Sequence, residues 1–245
     1  MNIVPRTQLL LGTLTVLLVA GCSGDPVARA RAFVESGDRY AANNQLREAA
    51  LEYRNALEQQ PNSTEVHYKL GVIYEQLGDV EDAQRAFMRV TELDDAYPDA
   101  DLRVAVRLLE LPRFDEARRL ARRVLAREPR HVRALVVLAR AMEGLGDTAL
   151  AAKHLNEALK IDPRSPEAYV ARGLLEFRND NQQRALNTLR TAVDYGSNSI
   201  EAWQALGTVL WKAGDVPAAE EAFQKVLAVA ADKAPAHRLL ASFFI

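Results

Sequence analysis

The distribution of apolar residues divides the chain into two parts. Residues 9–19 form a nearly continuous apolar run that is broken only by small residues. Further along, apolar residues recur every three or four positions, as in Leu70, Ile73 and Tyr74, which places them on one face of a helix. The pattern therefore predicts a short apolar N-terminal segment followed by a series of amphipathic helices.

The helical part repeats with a period of 34 residues. One position in every repeat is alanine, and the position twelve residues before it is glycine or alanine. The alanine column holds Ala49, Ala83, Ala117, Ala151, Ala185 and Ala219, and the earlier column holds Gly37, Gly71, Ala105, Ala139, Gly173 and Gly207. Because antiparallel helices approach closely only where side chains are small, we predict that the two columns meet inside a helical hairpin.

Glycine and proline mark the predicted helix ends. A Gly-Asp pair recurs in the turn inside a hairpin, where glycine suits a left-handed residue and aspartate can cap the next helix. Proline recurs between hairpins, where it stops the second helix. The glycines are Gly78, Gly146 and Gly214, and the prolines are Pro61, Pro129 and Pro163.

These columns resemble the signature of the tetratricopeptide repeat. The matching residues are Gly71, Tyr74, Ala83 and Phe87 in one repeat, and Trp203, Leu206, Gly207, Ala219 and Phe223 in another. The resemblance implies an all-α fold of tandem helix-turn-helix repeats in a right-handed superhelix, whose first helices line a concave surface. It implies six repeats, at 30–63, 64–97, 98–131, 132–165, 166–199 and 200–233, and a seventh, truncated repeat at 234–245.

Two repeats depart from this signature. The third has Asp101 at a usually bulky position, Ala121 where an aromatic residue is usual, and Leu111-Pro112-Arg113 in its turn. The fifth has Arg172 and Glu176 at usually apolar positions. We therefore expect looser packing in both repeats.

The apolar run near the N-terminus has the features of a secretory signal peptide. It follows a single basic residue, Arg6, and is too short to span a bilayer comfortably. The segment Val19-Ala20-Gly21-Cys22 resembles a bacterial lipobox, which implies a signal peptide at 1–21, acylation of Cys22 and a short tether at 22–29. An ordinary signal peptide with a chance cysteine, or a retained membrane anchor, is the alternative.

The residue after the cysteine bears on localisation. Ser23 stands where lipoproteins of the inner membrane often carry aspartate. The expected location is therefore the cell envelope, at the periplasmic face of the outer membrane, with attachment through the lipid on Cys22. Once Cys22 is acylated, no thiol remains for a disulfide, a metal site or a nucleophile.

Charge and polar spacing weigh against nucleic-acid binding and catalysis. The formal charge is −2, and removal of residues 1–21 would leave 30 basic against 33 acidic residues, since only Arg6 is lost from the 31 Lys and Arg. The histidines are far apart, at His67, His131, His154 and His237. We therefore predict no catalytic, metal or cofactor site.

A run of arginines in the third repeat admits two interpretations. Arg118, Arg119, Arg122 and Arg123 stand close to acidic residues in the predicted second helix. We interpret the run as a solvated outer face. A patch for anionic lipid or polysaccharide is the alternative.

The resemblance also implies a partner-binding groove. Its ligand-facing positions are apolar or aromatic here: Tyr68, Val72, Leu102, Val106, Leu109, Val136, Val170, Leu174, Phe177 and Trp211. We expect this strip to bind an amphipathic helix or extended peptide of a protein partner. The alternative is that the adjacent repeat covers several of these residues.

The expected function is that of a membrane-anchored periplasmic scaffold for protein–protein interactions. A lipobox followed by many repeats resembles lipoproteins of exopolysaccharide and PEP-CTERM protein-sorting systems. One alternative is an assembly lipoprotein for type IV pili or secretins. Another is the N-terminal repeat region of a larger enzyme whose catalytic domain lies beyond Ile245.

Overall fold

The computed structural model describes residues 25–94 and 97–230, which form twelve α-helices and no strands. The helices are α1 (Pro26–Ala42), α2 (Leu46–Gln59), α3 (Thr64–Leu77), α4 (Val80–Leu93), α5 (Pro98–Glu110), α6 (Phe114–Arg127), α7 (Val132–Gly144), α8 (Thr148–Ile161), α9 (Pro166–Arg178), α10 (Gln182–Tyr195), α11 (Ile200–Lys212) and α12 (Val216–Val229). The prediction of an all-α fold of tandem helical repeats is confirmed.

Consecutive helices pair into six hairpins, and the hairpins stack side by side. Each even-numbered helix packs against the odd-numbered helix before it and against the one after it. The odd-numbered helices also touch one another, since α5 contacts α7, α7 contacts α9 and α9 contacts α11. Neighbouring hairpins therefore approach each other most closely on the side of their first helices. We call the surface formed by α1, α3, α5, α7, α9 and α11 the inner surface.

Inside four of the six hairpins, a glycine of the first helix lies against a large side chain of the second helix. A Cβ added to Gly71 would stand 2.7 Å from Cε1 of Phe87, and one added to Gly207 would stand 2.8 Å from Cε1 of Phe223. At Gly173 an added Cβ would also stand 3.4 Å from the carbonyl oxygen of Ala185, so the glycine and alanine columns meet in that hairpin as predicted. The side chain that fills the space lies one turn further along the second helix, sixteen residues after the glycine, and the buried alanines pack beside it.

The turns inside the hairpins share a left-handed residue. The backbone φ is positive at one position per hairpin, spaced by 34 residues: Asn44, Gly78, Pro112, Gly146, Asp180 and Gly214. This confirms the role predicted for the three glycines. The predicted aspartate caps form at Asp147, which accepts from the Leu150 N–H at 3.0 Å, and at Asp215, whereas the Asp79 side chain makes no such bond.

The third hairpin is held by a buried ion pair. Asp101 on α5 is 1% exposed and accepts a hydrogen bond of 2.7 Å from Nε of Arg123 on α6 and a second one from Nη2. The Nη1 atom of Arg123 donates to the Thr91 carbonyl at the end of α4, at 3.1 Å. The prediction that Arg123 lies on a solvated outer face is therefore wrong. Its guanidinium neutralises the charge of Asp101, the acid that stands at a usually bulky position.

The fifth hairpin contains a second buried acid with several partners. Thr188 on α10 donates a hydrogen bond of 2.6 Å to Oε2 of Glu176 on α9. Oε1 of Glu176 lies 3.1 Å from Nε of Arg172 and 2.9 Å from Nε of Arg184. The polar residues that suggested loose packing thus satisfy one another across the hairpin.

Three predictions lie outside the described residues: the signal peptide at 1–21, the acylation of Cys22, and the seventh repeat at 234–245. Within the described ranges, none of the helices combines the length and the apolar character that crossing a bilayer requires.

Candidate partner-binding surface

The ten residues predicted to line a groove fall into two groups. Leu102, Val136 and Val170 are each 1% exposed, and Leu109 is also buried. These four residues belong to the core, because neighbouring helices cover them, as the alternative interpretation allowed. The other six retain accessible surface: Tyr68, Val72, Val106, Leu174 and Phe177 are half-buried, and Trp211 is 39% exposed.

Charged side chains, rather than an apolar strip, connect the helices of the inner surface. On α1 and α3, Lys69 donates two hydrogen bonds, of 2.9 and 2.8 Å, to the carboxylate of Asp38. Lys69 also lies 3.1 Å from Glu65, and the Tyr53 hydroxyl donates to Asp38 at 2.7 Å. The first two hairpins are therefore joined by a network in which every charge has a partner at hydrogen-bonding distance.

The network continues from α3 to α5. The Tyr68 hydroxyl donates to Oδ2 of Asp99 at 2.7 Å, and Nε of Arg103 donates to the same oxygen at 2.6 Å. Arg103 also pairs with Glu75 through Nη1, and its guanidinium carbon lies 5.2 Å from the centre of the Phe87 ring. Tyr68, predicted as an apolar contact for a partner, is thus engaged with a neighbouring repeat.

Two arginines of α7 are less tightly paired than Lys69 and Arg103. Arg133 on α7 lies 3.7 Å from Oδ1 of Asp99 and 3.9 Å from Oε1 of Glu167 on α9. Arg140 on α7 lies 4.0 Å from Oε1 of Glu201 on α11. These separations exceed a hydrogen bond, so neither guanidinium is held by these acids in a fixed orientation.

The contact of Arg140 with Glu201 joins two hairpins that are not neighbours. Arg140 belongs to the fourth hairpin and Glu201 to the sixth, and α9 of the fifth hairpin lies between them. The two side chains reach each other only because the inner surface is curved. This geometry shows that the first helices form the concave side of the stack at α7–α11.

The pairing of the acids affects their pKa values in different directions. Burial raises the pKa of Asp99, but hydrogen bonds from Arg103 and Tyr68 outweigh burial and bring this pKa below its usual value. The pKa of Asp38 is also below its usual value, because hydrogen bonds from Lys69 and Tyr53 outweigh the effect of burial. Glu167 is the opposite case, since burial raises its pKa and the attraction of Arg133 and Arg140 does not reverse the change.

A cleft of about 330 Å³ opens beside this surface, between α3, α4 and α5. Phe87 and Val106 provide apolar walls, and Arg103, Arg107 and Glu75 provide charged ones. Nε of Arg107 is buried there and has no hydrogen-bond partner, although Nη1 of the same residue bonds to Glu110 at 2.5 Å. Val106 is thus a predicted groove residue that lines this cleft.

One column of the first helices anchors the turns between hairpins. His67 Nε2 lies 2.9 Å from the Pro61 carbonyl, the Tyr169 hydroxyl donates to the Pro163 carbonyl at 3.3 Å, and Trp203 Nε1 donates to the Ser197 carbonyl at 2.8 Å. Each partner lies six residues earlier in the chain. His67 therefore has a structural role, and no set of three His, Cys, Asp or Glu side chains among the described residues is arranged for a metal ion.

The charged character of the inner surface was missed at the level of sequence, although one signal for it exists. A single column is charged in every repeat: Arg31, Glu65, Asp99, Arg133, Glu167 and Glu201. Five of these residues, from Glu65 to Glu201, contribute to the ion contacts described above. A column that is charged in all six repeats favours contacts between neighbouring first helices, since acids and bases both occur in it.

The opposite face of the stack carries the arginine run. Arg119 and Arg122 are exposed on α6, in agreement with a solvated outer face. Arg118 pairs within the helix with Asp115, at 2.7 Å. The Arg123 side chain does not lie on this face, because it pairs with the buried Asp101.

Family models described as tetratricopeptide repeats match most of the chain. They cover residues 37–78, 64–97, 103–166, 136–200 and 177–243. Among curated proteins, the anaphase-promoting complex subunit 3 of Schizosaccharomyces pombe is 26% identical over 185 residues. The aligned region is 75% of this chain but 28% of that protein, so the chain spans less than a third of this relative.

Solved structures of similar fold include a tetratricopeptide repeat protein from Parabacteroides merdae and the type IV pilus biogenesis factor PilW. The first has a TM-score of 0.74 and 17% identity, and covers 88% of this chain and 84% of its own. PilW has a TM-score of 0.64 and 16% identity, and covers 88% of this chain and 98% of its own. At these identities the likeness concerns the fold.

Proposed function

The chain belongs to the tetratricopeptide repeat proteins, and from this premise we propose that it is a lipid-anchored scaffold of the bacterial cell envelope. Proteins of this family bind protein partners and are generally not catalytic. The inner surface is where such a partner would bind. Its charged groups come from five successive first helices, and this extended set of charges supports the proposal that a partner binds here.

The anchor is proposed from the sequence around Cys22. Acyl chains on this cysteine would hold the protein permanently at a membrane, because each buried CH₂ group contributes about 0.8 kcal/mol. The helical stack begins at Pro26, only four residues later, so the first hairpin would lie next to the lipid surface. We propose the periplasmic face of the outer membrane as the location, in agreement with Ser23 after the cysteine.

The proposed setting is an export or assembly system of the envelope, such as exopolysaccharide secretion or protein sorting. A second candidate is assembly of type IV pili. It is favoured by PilW, whose length this chain covers almost entirely. Co-purification of an outer-membrane secretin with the full-length protein would select this second candidate.

The anchor is tested by fractionation of cells that produce the wild type or Cys22→Ser. We expect acylated wild-type protein in the carbonate-washed membrane fraction and the variant in the soluble fraction, with mass spectrometry reporting the lipid on the N-terminal peptide. Retention of Cys22→Ser in washed membranes would refute the lipid anchor. A Ser23→Asp variant tests the location, since it should move the protein to the inner membrane.

The scaffold function is tested by photocrosslinking in intact cells. A photoreactive amino acid replaces Leu174 on the inner surface or, as a control, the exposed Leu51 on α2. A protein adduct specific to position 174 supports binding at the inner surface. Identical adducts at the two positions would contradict it.

A further inference from the structure

The inner surface has two halves that differ in how their charges are satisfied. In the half formed by α1, α3 and α5, the cations Lys69 and Arg103 each contact two carboxylates directly. In the half formed by α7, α9 and α11, Arg133 and Arg140 have acids only at 3.7 to 4.0 Å. The cations Lys69 and Arg103 are therefore already bonded within the protein, whereas Arg133 and Arg140 are able to bond to a partner.

The acids near the two available arginines are weak competitors. Asp99, one neighbour of Arg133, already accepts hydrogen bonds from Tyr68 and Arg103. Glu167, its other neighbour, is disfavoured as a carboxylate by its burial, so its pKa is raised. Glu201 has a 56% exposed side chain, and exposed pairs of this kind contribute less than about 1 kcal/mol. Replacement of these contacts by a partner would therefore cost little.

The balance of charge at α7–α11 favours an acidic ligand. Arg178 is engaged, since it donates hydrogen bonds of 2.5 and 2.6 Å to Glu143. The remaining cations are Arg133, Arg140 and Lys212, and the remaining acids are Glu167 and Glu201. At α1–α5, by contrast, the network contains four acids, Asp38, Glu65, Glu75 and Asp99, for two cations.

Apolar surface lies beside these cations. Leu174 and Phe177 on α9 are half-buried against the core, and Trp211 on α11 is exposed. Nζ of Lys212 lies 5.8 Å from the centre of the Phe177 ring. Arg133 and Arg140 are seven residues apart on α7, which is two helical turns, so they present charge on one face over about 10 Å.

We propose that the half of the inner surface formed by α7, α9 and α11 binds an acidic amphipathic segment of a partner protein. Carboxylates of that segment bond to Arg133 and Arg140, because a guanidinium binds a carboxylate through two parallel hydrogen bonds. Its apolar side chains contact Leu174, Phe177 and Trp211. This inference rests on the proposed scaffold function and adds the chemistry of the partner and its place on the surface.

The direct test uses a fluorescein-labelled amphipathic peptide rich in Glu, Leu and Phe, and a matched peptide with Gln in place of Glu. Fluorescence anisotropy with the full-length protein should show binding of the acidic peptide, weakened by added salt. The Arg133→Gln/Arg140→Gln variant should lose affinity about tenfold or more, which corresponds to about 1.4 kcal/mol. Circular dichroism establishes that the variant remains helical.

Controls separate this site from other basic surfaces. The Arg119→Gln/Arg122→Gln variant removes equal charge from the outer face and should bind the acidic peptide as the wild type does. Failure to bind the acidic peptide, equal binding of the Gln peptide, or equal loss in both variants would overturn the proposal. So would loss of binding to phosphatidylglycerol vesicles, but not to the peptide, in the inner-surface variant, since this result would indicate a lipid ligand.

Crosslinking distinguishes failure of this inference from failure of the scaffold function. With the photoreactive residue at position 174, an adduct that disappears in Arg133→Gln/Arg140→Gln and maps to an acidic segment is the expected result. If the same adduct persists in the variant, the scaffold function stands and the acidic partner is refuted. If no adduct forms in the wild type, both proposals fail.

Discussion

Arg123 on α6 donates hydrogen bonds to both carboxylate oxygens of Asp101 on α5, and Asp101 is almost completely buried. Removal of the arginine would take two hydrogen bonds away from a buried carboxylate, so Arg123→Ala should lower the free energy of unfolding by about 3 kcal/mol. Urea denaturation measures the change.

A double variant distinguishes loss of the pair from loss of packing. Asp101→Leu/Arg123→Met replaces the ion pair by apolar side chains and should be as stable as the wild type or more stable. Arg119→Ala, on the exposed face of the same helix, should change stability by less than about 0.5 kcal/mol. If Arg123→Ala is as mild as Arg119→Ala, the pair does not stabilise the hairpin.

The second prediction concerns the contact of Gly71 with Phe87. A methyl group at position 71 would lie within 3 Å of the ring, so Gly71→Ala should destabilise the protein by about 1–3 kcal/mol despite the better helix propensity of alanine. The fourth hairpin has alanine at this position and leucine at the other, Ala139 and Leu155. Gly71→Ala/Phe87→Leu should therefore recover part of the lost stability in thermal melts, and no recovery would mean that the ring is not the obstacle.

The third prediction concerns the turn of the third hairpin. Pro112 occupies the left-handed position that glycine, asparagine or aspartate holds in the other hairpins, with a φ of 30° that opposes the preference of the proline ring for about −65°. Pro112→Gly should raise the melting temperature, by the equivalent of about 1 kcal/mol. Pro217→Gly is the control, because Pro217 is exposed in the first turn of α12, where proline is favourable. A decrease in both variants would contradict strain at Pro112.

The fourth prediction is a dependence of stability on pH. Because the pKa of Glu167 is higher in the folded protein than its ordinary value of 4.5, the native state binds this proton more tightly, and stability falls as the pH rises from about 4.5 through the native pKa. Glu167→Gln should therefore raise the melting temperature at pH 7 and lose this advantage below about pH 4.5.

Asp99→Asn should change the pH dependence of stability in the opposite direction. The native pKa of Asp99 is below its ordinary value of 3.8, so its contribution is present above that value and is lost as the pH falls through the native pKa. The variant should melt below the wild type at pH 7, and the difference should shrink in acid. Equal pH profiles of the two variants would refute the assignment.

The repeat architecture was predictable because the same residue types recur at intervals of 34 residues. Glycine, alanine and proline recur at fixed positions for reasons of backbone geometry and close approach, and these reasons hold in every repeat. The turn glycines Gly78, Gly146 and Gly214 illustrate this, since each has the predicted left-handed conformation. Such signals lie within one hairpin and need no knowledge of its neighbours.

The groove was less predictable because coverage depends on the next hairpin. Val136 and Val170 occupy the same column as Tyr68, yet they are buried and Tyr68 is half-buried. How closely two first helices approach decides the difference, and the sequence of one helix does not contain that distance. The partner of Asp101 was hidden for a related reason, since Arg123 belongs to another helix, 22 residues away.

The contact of Arg140 with Glu201 makes the approach of the fourth and sixth hairpins sensitive to dissolved salt. The guanidinium and the carboxylate are 4.0 Å apart and the Glu201 side chain is 56% exposed, so dissolved ions screen their attraction, whereas Arg178 and Glu143 join α7 to α9 through direct hydrogen bonds. A rise in ionic strength should therefore weaken the contact that draws the fourth and sixth hairpins together before it weakens the hydrogen-bonded pairs elsewhere on the inner surface.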